Sequence, residues 1–398
     1  MDIKCIADFN FLSHPSVLGT LTIESKKGKT YCYFQYDKGW IVEHGDIFLD
    51  PDLLDIPDHQ YPEDRIMFAF LEDCSPDRWG RTLIRRKLQK EQKFSLTDFD
   101  YLLNVEDKTR LGGLRFSSSD ENSFFAEENF PVPPIEDLRK LEAYSKDYEK
   151  KGIDSEWFRL LVKPGSSLGG ARPKANIIDE NGALWIAKFP SLKDSRDIGS
   201  WERTVSLLAF ECGINTPQTR CFKTSENHTF LSKRFDRNGE KRVHMASFMT
   251  MIGKKDGEDA SFLDIAEALE KYSSSPLEDL REMYRRIVFY AVFNNTDNHL
   301  RNHALLLSAD GWRLSPMYDT NISIENTISA LSLNGDEYDL GNSKSVYELS
   351  DYFRVGSKDR EDIWGKTQKA VSLLPLYARK EGISESEIKE VCSFLERE

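Results

Sequence analysis

The sequence predicts an α+β protein with a mixed N-terminal region, a small β-rich lobe and a larger, mostly helical lobe. Three observations predict it. Residues 17–42 alternate apolar and polar side chains and are rich in Tyr, Phe and Trp, the period-2 pattern of half-buried strands. Residues 158–191 run from a Gly/Ser loop into two apolar segments split by Asn181-Gly182, a hairpin signal. Residues 276–295 place Leu280, Met283, Ile287, Tyr290 and Ala291 on one stripe, the 3.6-residue period of an amphipathic helix.

Length and composition set bounds on function. At 398 residues the chain can build two or three domains with cores of their own. Hydrophobic residues at 39% and charged residues at 30% are normal for a soluble globular protein. No apolar run is long enough for a transmembrane helix, and the N-terminus lacks the basic-then-apolar pattern of a secretory signal, so a cytoplasmic protein is expected. The net charge of −13 opposes direct binding to a phosphate backbone and leaves room for a basic protein partner. Cys5, Cys32, Cys74, Cys212, Cys221 and Cys392 form no C-x-x-C pair and are expected as buried thiols.

Taken in order, residues 17–42 read as two or three antiparallel strands with a Lys-Lys-Gly turn at 26–28. Residues 64–71 begin a helical region. Ser75-Pro76-Asp77 then starts a basic helix through 92, whose Arg81, Arg85, Arg86, Lys87 and Lys90 are expected as a solvated face. Residues 95–105 form a short capped helix, and 111–119 a strand or turn. Residues 117–135, Ser-rich and then Pro-rich, are the candidate linker, followed by a charged helix over 135–152. The expected domains are 1–120, a linker and helix over 121–150, a nucleotide-binding lobe over 151–238, and a helical lobe over 239–398.

The loop GSSLGGAR near residue 165 can bring backbone N–H groups close to a phosphate, because Gly tolerates positive φ and carries no side chain. It is not a Walker loop. The Gly-Lys-Thr triplets at 28–30 and 365–367 have Ile23 and Arg360 where the first Gly belongs. Lys188 lies mid-strand in WIAKFP. Either it points outward from an edge strand, or it grips nucleotide phosphates with Glu202, on the following helix, as its ion-pair partner. Glycine loop, lysine strand and glutamate helix make the arrangement of a nucleotide-binding lobe.

Residues 291–320 carry the most chemistry. Asp297 and Asn302 have the spacing D-x-x-x-x-N, and Asp319 follows beyond an apolar hairpin. Phosphoryl transfer needs one Asp to take the proton of an attacking hydroxyl. It also needs an Asn and a second Asp to hold Mg²⁺, which binds through few protein oxygens plus phosphates. On the residues alone, Asp and Asn as ordinary turn caps remain the alternative. His299 and His303 share the spacing of a zinc helix, but Leu300 stands where H-E-x-x-H chemistry needs Glu.

Several of these stretches together resemble the HipA-like serine/threonine kinases, the toxin halves of toxin–antitoxin pairs. They are LGTLTI with FQYDKGWI, SPDRWGRTLI, LGGLRF, SSLGGARPKA, WIAKFP, SKRFDR and NNTDNHLRN with MYD. The resemblance implies a protein-kinase-like two-lobed fold with an added N-terminal subdomain, and ATP and Mg²⁺ as cofactors. It implies Asp297 as catalytic base, Asn302 and Asp319 as Mg²⁺ ligands, and Lys188 on the ATP phosphates. Leu168, Gly169, Gly170, Ala171, Arg172 and Pro173 would cover those phosphates, and Lys233, Arg234 and Phe235 would form the hinge. Glu202, His299 and Tyr318 complete the implied ATP site. Ser167 matches an autophosphorylated serine, and Ser166 beside it leaves two candidates. The implied partners are a small helix-turn-helix HipB-like antitoxin that carries the DNA contact, and a protein substrate such as an aminoacyl-tRNA synthetase. Where many members carry a Glu-Asp pair after the hinge, this chain reads VHMASF at 243–248. A small-molecule phosphotransferase, or a kinase fold that only docks an antitoxin, are the rival functions.

Overall fold

The computed structural model describes residues 1–93, 95–118, 123–127, 131–151 and 172–396. The fold is α+β, and the chain divides into two compact units, each assembled from separate stretches of sequence. Unit 1 is Met1–Ser191 with Arg234–Ala246 and Leu306–Gly311; unit 2 is Leu192–Lys233, Ser247–Leu305 and Trp312–Glu398. No helix of the described residues is long and apolar enough to cross a membrane.

Unit 1 begins with an antiparallel sheet of β1 (Asp2–Ala7), β2 (Ser16–Lys26), β3 (Lys29–Tyr36) and β4 (Leu114–Ser118), ordered β3-β2-β1-β4. Its alternation buries Ile3, Cys5, Leu21, Phe34 and Phe116 on the inner face. The β2–β3 turn puts Lys27 at φ 52° and Gly28 at φ 77°, the positive pair that fits strand twist. The aromatic pattern does not continue as strand to residue 42. Asp37 accepts hydrogen bonds from Gly39 N and Trp40 N and so starts the helix Lys38–His44, which buries Trp40. The expected helix at 64–71 is likewise only the short Ala69–Glu72.

Helix Arg78–Lys90 is capped by Asp77, and its Trp79 and Leu83 pack with Tyr148 of helix Leu138–Lys151. The basic side chains are not simply solvated. Arg81 pairs with Asp98 at 2.7 Å, Arg85 donates to the Tyr101 hydroxyl, and Arg86 lies over the Tyr148 ring. Within the candidate linker, the Pro133 carbonyl accepts from Ile178 N at 2.9 Å. Ile178 ends β5 (Lys174–Ile178), which pairs antiparallel with β6 (Leu184–Lys188). The hairpin turn is fixed by Gly182 at φ 76° and by Asp179, which accepts from Asn181 N, Ala183 N and Trp185 Nε1. Of the cysteines, Cys5, Cys32, Cys74 and Cys212 are buried, while Cys221 and Cys392 are half-buried.

Unit 2 is mostly helical. Helix Ile198–Glu211 packs on the long helix Ser357–Lys380, and Phe262–Tyr272 packs on Pro276–Val292. The stripe Leu280, Met283, Ile287, Tyr290 and Ala291 is buried. The expected helical lobe over 239–398 is not helical throughout: the short strands Lys241–Arg242, which belongs to unit 1, and Met245–Ser247 come first. The helix Glu385–Leu395, capped by Ser384, closes the chain.

Candidate active site

The end of helix Pro276–Val292 builds the loop on which the site stands. Asn294 takes φ 48° and Asn295 N donates to Tyr290 O at 2.9 Å, a Schellman closure with Asn in the position Gly usually fills. Asn295 and Asn298 are buried, and each side chain is committed. Asn294 Nδ2 donates to the carbonyls of Ser323 and Asn326. Asn295 Oδ1 accepts from Asn321 N at 2.9 Å. Asn298 Nδ2 donates to Asn295 O, and its Oδ1 accepts from Ser329 Oγ and Leu331 N. His303 is buried, and its Nε2 bonds Asn298 O at 3.1 Å.

Against this fixed frame Asp297 turns outward, with its side chain 81% exposed. Asn302 closes the 3₁₀ turn Leu300–Asn302 and donates from Nδ2 to Asp297 O at 2.7 Å, so its Oδ1 is the end left for a cation. His299 Nε2 is 3.6 Å from Asp297 Oδ1, in range for an ion pair when the ring carries a proton. The following hairpin, Ala304–Ser308 and Gly311–Leu314, leads to Ser315, whose carbonyl accepts from the buried Arg286. Tyr318 gives its hydroxyl proton to Arg301 O at 2.8 Å. Asp319 then adopts φ 55°, a region that costs a non-glycine residue of order 1–3 kcal/mol and is held only where surroundings enforce it. Unit 2 thus brings Asp297, His299, Asn302, Tyr318 and Asp319 onto one loop system. An all-oxygen set from Asn302 and Asp319 fits Mg²⁺, which prefers hard ligands.

Unit 1 brings Arg172 and Pro173 to the end of the Lys188 strand. Phe189 N donates to Pro173 O at 2.9 Å, and Arg172 Nη1 donates to Phe189 O. Lys188 is half-buried, and Lys174 is its register partner on β5. The more deeply buried lysine is Lys174, 3.3 Å from Asp77 Oδ2. Burial raises Asp77 to about 6, against the pull of Lys174. Leu168, Gly169, Gly170, Ala171, Ser166 and Ser167 lie outside the described residues. Glu202 is buried on helix Ile198–Glu211 of unit 2.

The expected hinge falls where the chain passes from unit 2 to unit 1, between Lys233 and Arg234. Lys233 N donates to Gln218 O and Arg234 N to Leu184 O. Phe235 is half-buried. The Arg234 guanidinium faces inward, donating to Thr109 O, Asn176 Oδ1, Arg110 O and both Asp236 oxygens. Burial alone would push Asp236 up, but Arg234 and Arg237 outweigh it and hold the carboxyl far below its usual range. Past the hinge, His244 of VHMASF stacks on Phe9 at 4.8 Å in the unit 1 core.

Residues 166–374 match the family model of the HipA-like C-terminal domain. The chain belongs to that family. Two curated relatives of this HipA-like chain carry kinase names. "Putative kinase" of Haemophilus influenzae is 26% identical over 233 residues, 48% of this chain and 67% of the relative. "Putative kinase Y4mE" of Sinorhizobium fredii is 25% identical over 179 residues, 38% of this chain and 41% of the relative. The fold matches a chain of the Shewanella oneidensis MR-1 toxin–antitoxin complex of HipA, HipB and operator DNA, with TM-score 0.71 and 15% identity over 99% of this chain and 97% of that one. At that identity the likeness is one of fold.

Asn294, Asn295 and Asn298 were not singled out by their sequence pattern. The available signal was Asn-Asn directly after the last apolar position of an amphipathic helix, a C-terminal stop.

Proposed function

We propose that this HipA-like chain is an ATP- and Mg²⁺-dependent protein kinase that transfers the γ-phosphoryl group to a serine or threonine hydroxyl. The observation that carries the proposal is the loop system of Asp297, Asn302 and Asp319. Asp297 turns its carboxylate outward, and Asn302 and Asp319 on the same loop system carry oxygens of the kind a hard cation takes. Asp297 takes the hydroxyl proton as the serine or threonine oxygen bonds to phosphorus and the bond to the ADP oxygen breaks. Its exposure suits an acceptor presented on a protein surface. Asn302 and Asp319 would hold Mg²⁺, which when bound offsets phosphate charge. Lys188 is assigned to the ATP phosphates. Leu168 to Pro173 are assigned to the phosphates, and Lys233 to Phe235 to the adenine. His299 and Tyr318 line the nucleotide side of the site. Self-phosphorylation of Ser166 or Ser167 adds up to about two negative charges to that loop and opposes ATP binding.

The proposed partner is a small helix-turn-helix antitoxin of HipB type that carries the DNA contact. In support, the chain is itself acidic, and its structural neighbour was solved with HipB and operator DNA. The proposed substrate is a translation protein such as an aminoacyl-tRNA synthetase.

The test is intact-mass and peptide mass spectrometry after incubation with Mg-ATP, with Asp297→Asn in parallel. One added phosphate on Ser166 or Ser167 is expected in the wild type. Asp297→Asn should slow its appearance by about a hundredfold or more, the range for losing a general base. Absence of nucleotide binding by the wild type would overturn the kinase proposal.

A further inference from the structure

Asp319 lies in a turn that is tied on both sides to the loop carrying Asp297 and Asn302. One tie is the Tyr318 hydroxyl on Arg301 O. The other is the Asn295 side chain, and it is the more informative. Asn295 is only 3% exposed. Its backbone is pinned by the bond from its N–H to Tyr290 O at the end of a seventeen-residue helix. Its Oδ1 reaches across 26 positions of sequence to accept from Asn321 N, two residues past Asp319. A short polar side chain in a closed helix terminus has little freedom left. The bond therefore transmits the position of the helix end to the turn. The turn needs such a support, because Asp319 sits at φ 55°, which the chain abandons unless its flanks are held. The Asn321 side chain points to the same function. Its Oδ1 is buried without a hydrogen-bond partner among the described residues, so the turn carries an oxygen not consumed by the fold.

We propose that Asn295 is a positioning residue for the cation site. It does not touch the metal. It sets the Asp319–Asn321 turn against Asn302, so that the two oxygen ligands stand at the separation the ion requires. The inference rests on the proposed Mg²⁺–nucleotide site and adds a residue to it that the phosphoryl-transfer pattern does not contain. Supports of this kind behind a ligand typically cost about 10-fold or more in metal affinity when removed.

The experiment measures Mn²⁺ binding to the full chain with saturating ADP, by electron paramagnetic resonance, and ADP binding separately in EDTA. Asn295→Leu keeps the volume but loses the acceptor, while Asn295→Asp keeps an acceptor oxygen for Asn321 N. Asn295→Leu is expected to weaken Mn²⁺ about 10-fold or more with metal-free ADP binding unchanged, and Asn295→Asp to stay within about threefold of wild type. Asn295→Ala is read the same way should Asn295→Leu not fold. The proposal is overturned if the acceptor-less variants bind Mn²⁺ as wild type does, or if Asn295→Asp loses as much as they do. Either result leaves the kinase proposal standing. A wild type that binds neither Mn²⁺ nor ADP would remove both.

Discussion

Arg234 and Lys188 show what a residue reads like without its surroundings. Arg234 belongs by pattern to a hinge, yet its guanidinium is spent on Thr109, Asn176, Arg110 and Asp236 inside unit 1. Removing one partner of a buried pair leaves the other charge stranded, which costs roughly 3–5 kcal/mol. Arg234→Met should therefore lower the urea midpoint sharply. Arg354→Ala, which breaks a pair with Glu270 whose side chains are 58% and 44% exposed, should cost about 0–1 kcal/mol. Equal midpoints for the two variants would show that the Arg234 cluster is not a structural pin. The lysines illustrate the same limit. Lys174 and Lys188 are register partners on adjacent strands, each flanked by apolar residues. Sequence drew attention to Lys188. The more deeply buried one is Lys174, whose partner Asp77 comes 97 positions earlier in the chain. Such distant pairing leaves no local trace.

At the scale of elements, legibility followed how local the cause was. The Lys27-Gly28 turn, the Asn181-Gly182 turn and the apolar stripe of Pro276–Val292 are set by neighbours a few residues away, and the sequence showed them. The long helix Ser357–Lys380 was not anticipated. Pro375 inside it speaks against a helix locally, and burial of Ile363, Thr367, Ala370 and Leu374 overrides that preference. The surroundings of helix Ile198–Glu211, which carries Glu202, were equally hidden. Glu387 of the last helix accepts from Trp201 Nε1 at 3.0 Å and from Asp197 N at 3.2 Å. Ser200 Oγ donates to Glu381 O. The C-terminal segment therefore latches the first turn of the helix. Glu387→Leu leaves the indole N–H of the buried Trp201 and Asp197 N without an acceptor, a loss of about 1–3 kcal/mol. Faster amide exchange in the first turns of Ile198–Glu211, with the rest of unit 2 unchanged, is the expected result. Unchanged exchange there would mean that packing on Ser357–Lys380 alone fixes the helix.

For the whole molecule, buried titratable groups set how stability responds to pH, and they act in opposite directions. Burial, joined by the charge of Arg286, lowers His303 to about 3, and burial lowers His244 to about 3. Unfolded imidazole titrates near ~6.5. Between about 6.5 and 3 the unfolded chain takes up protons that the folded chain refuses, so these groups lower stability as pH falls. Asp50 and Asp77 are each raised by burial to about 6. Folded, they gain their protons before the unfolded carboxyls do, so they add stability as pH falls from about 6 toward about 4. The histidine shifts span about 3.5 pH units each against about 2 for the carboxyls, and they begin at higher pH. These four groups together therefore favour unfolding as the solution is acidified from neutrality. His303 offers a clean test, since Gln can keep a donor for Asn298 O and does not titrate. In urea unfolding between pH 6 and pH 5, His303→Gln should lose stability less steeply than wild type by up to about one proton, roughly 1.4 kcal/mol per pH unit. An identical slope in the two proteins would mean that the folded chain can charge His303.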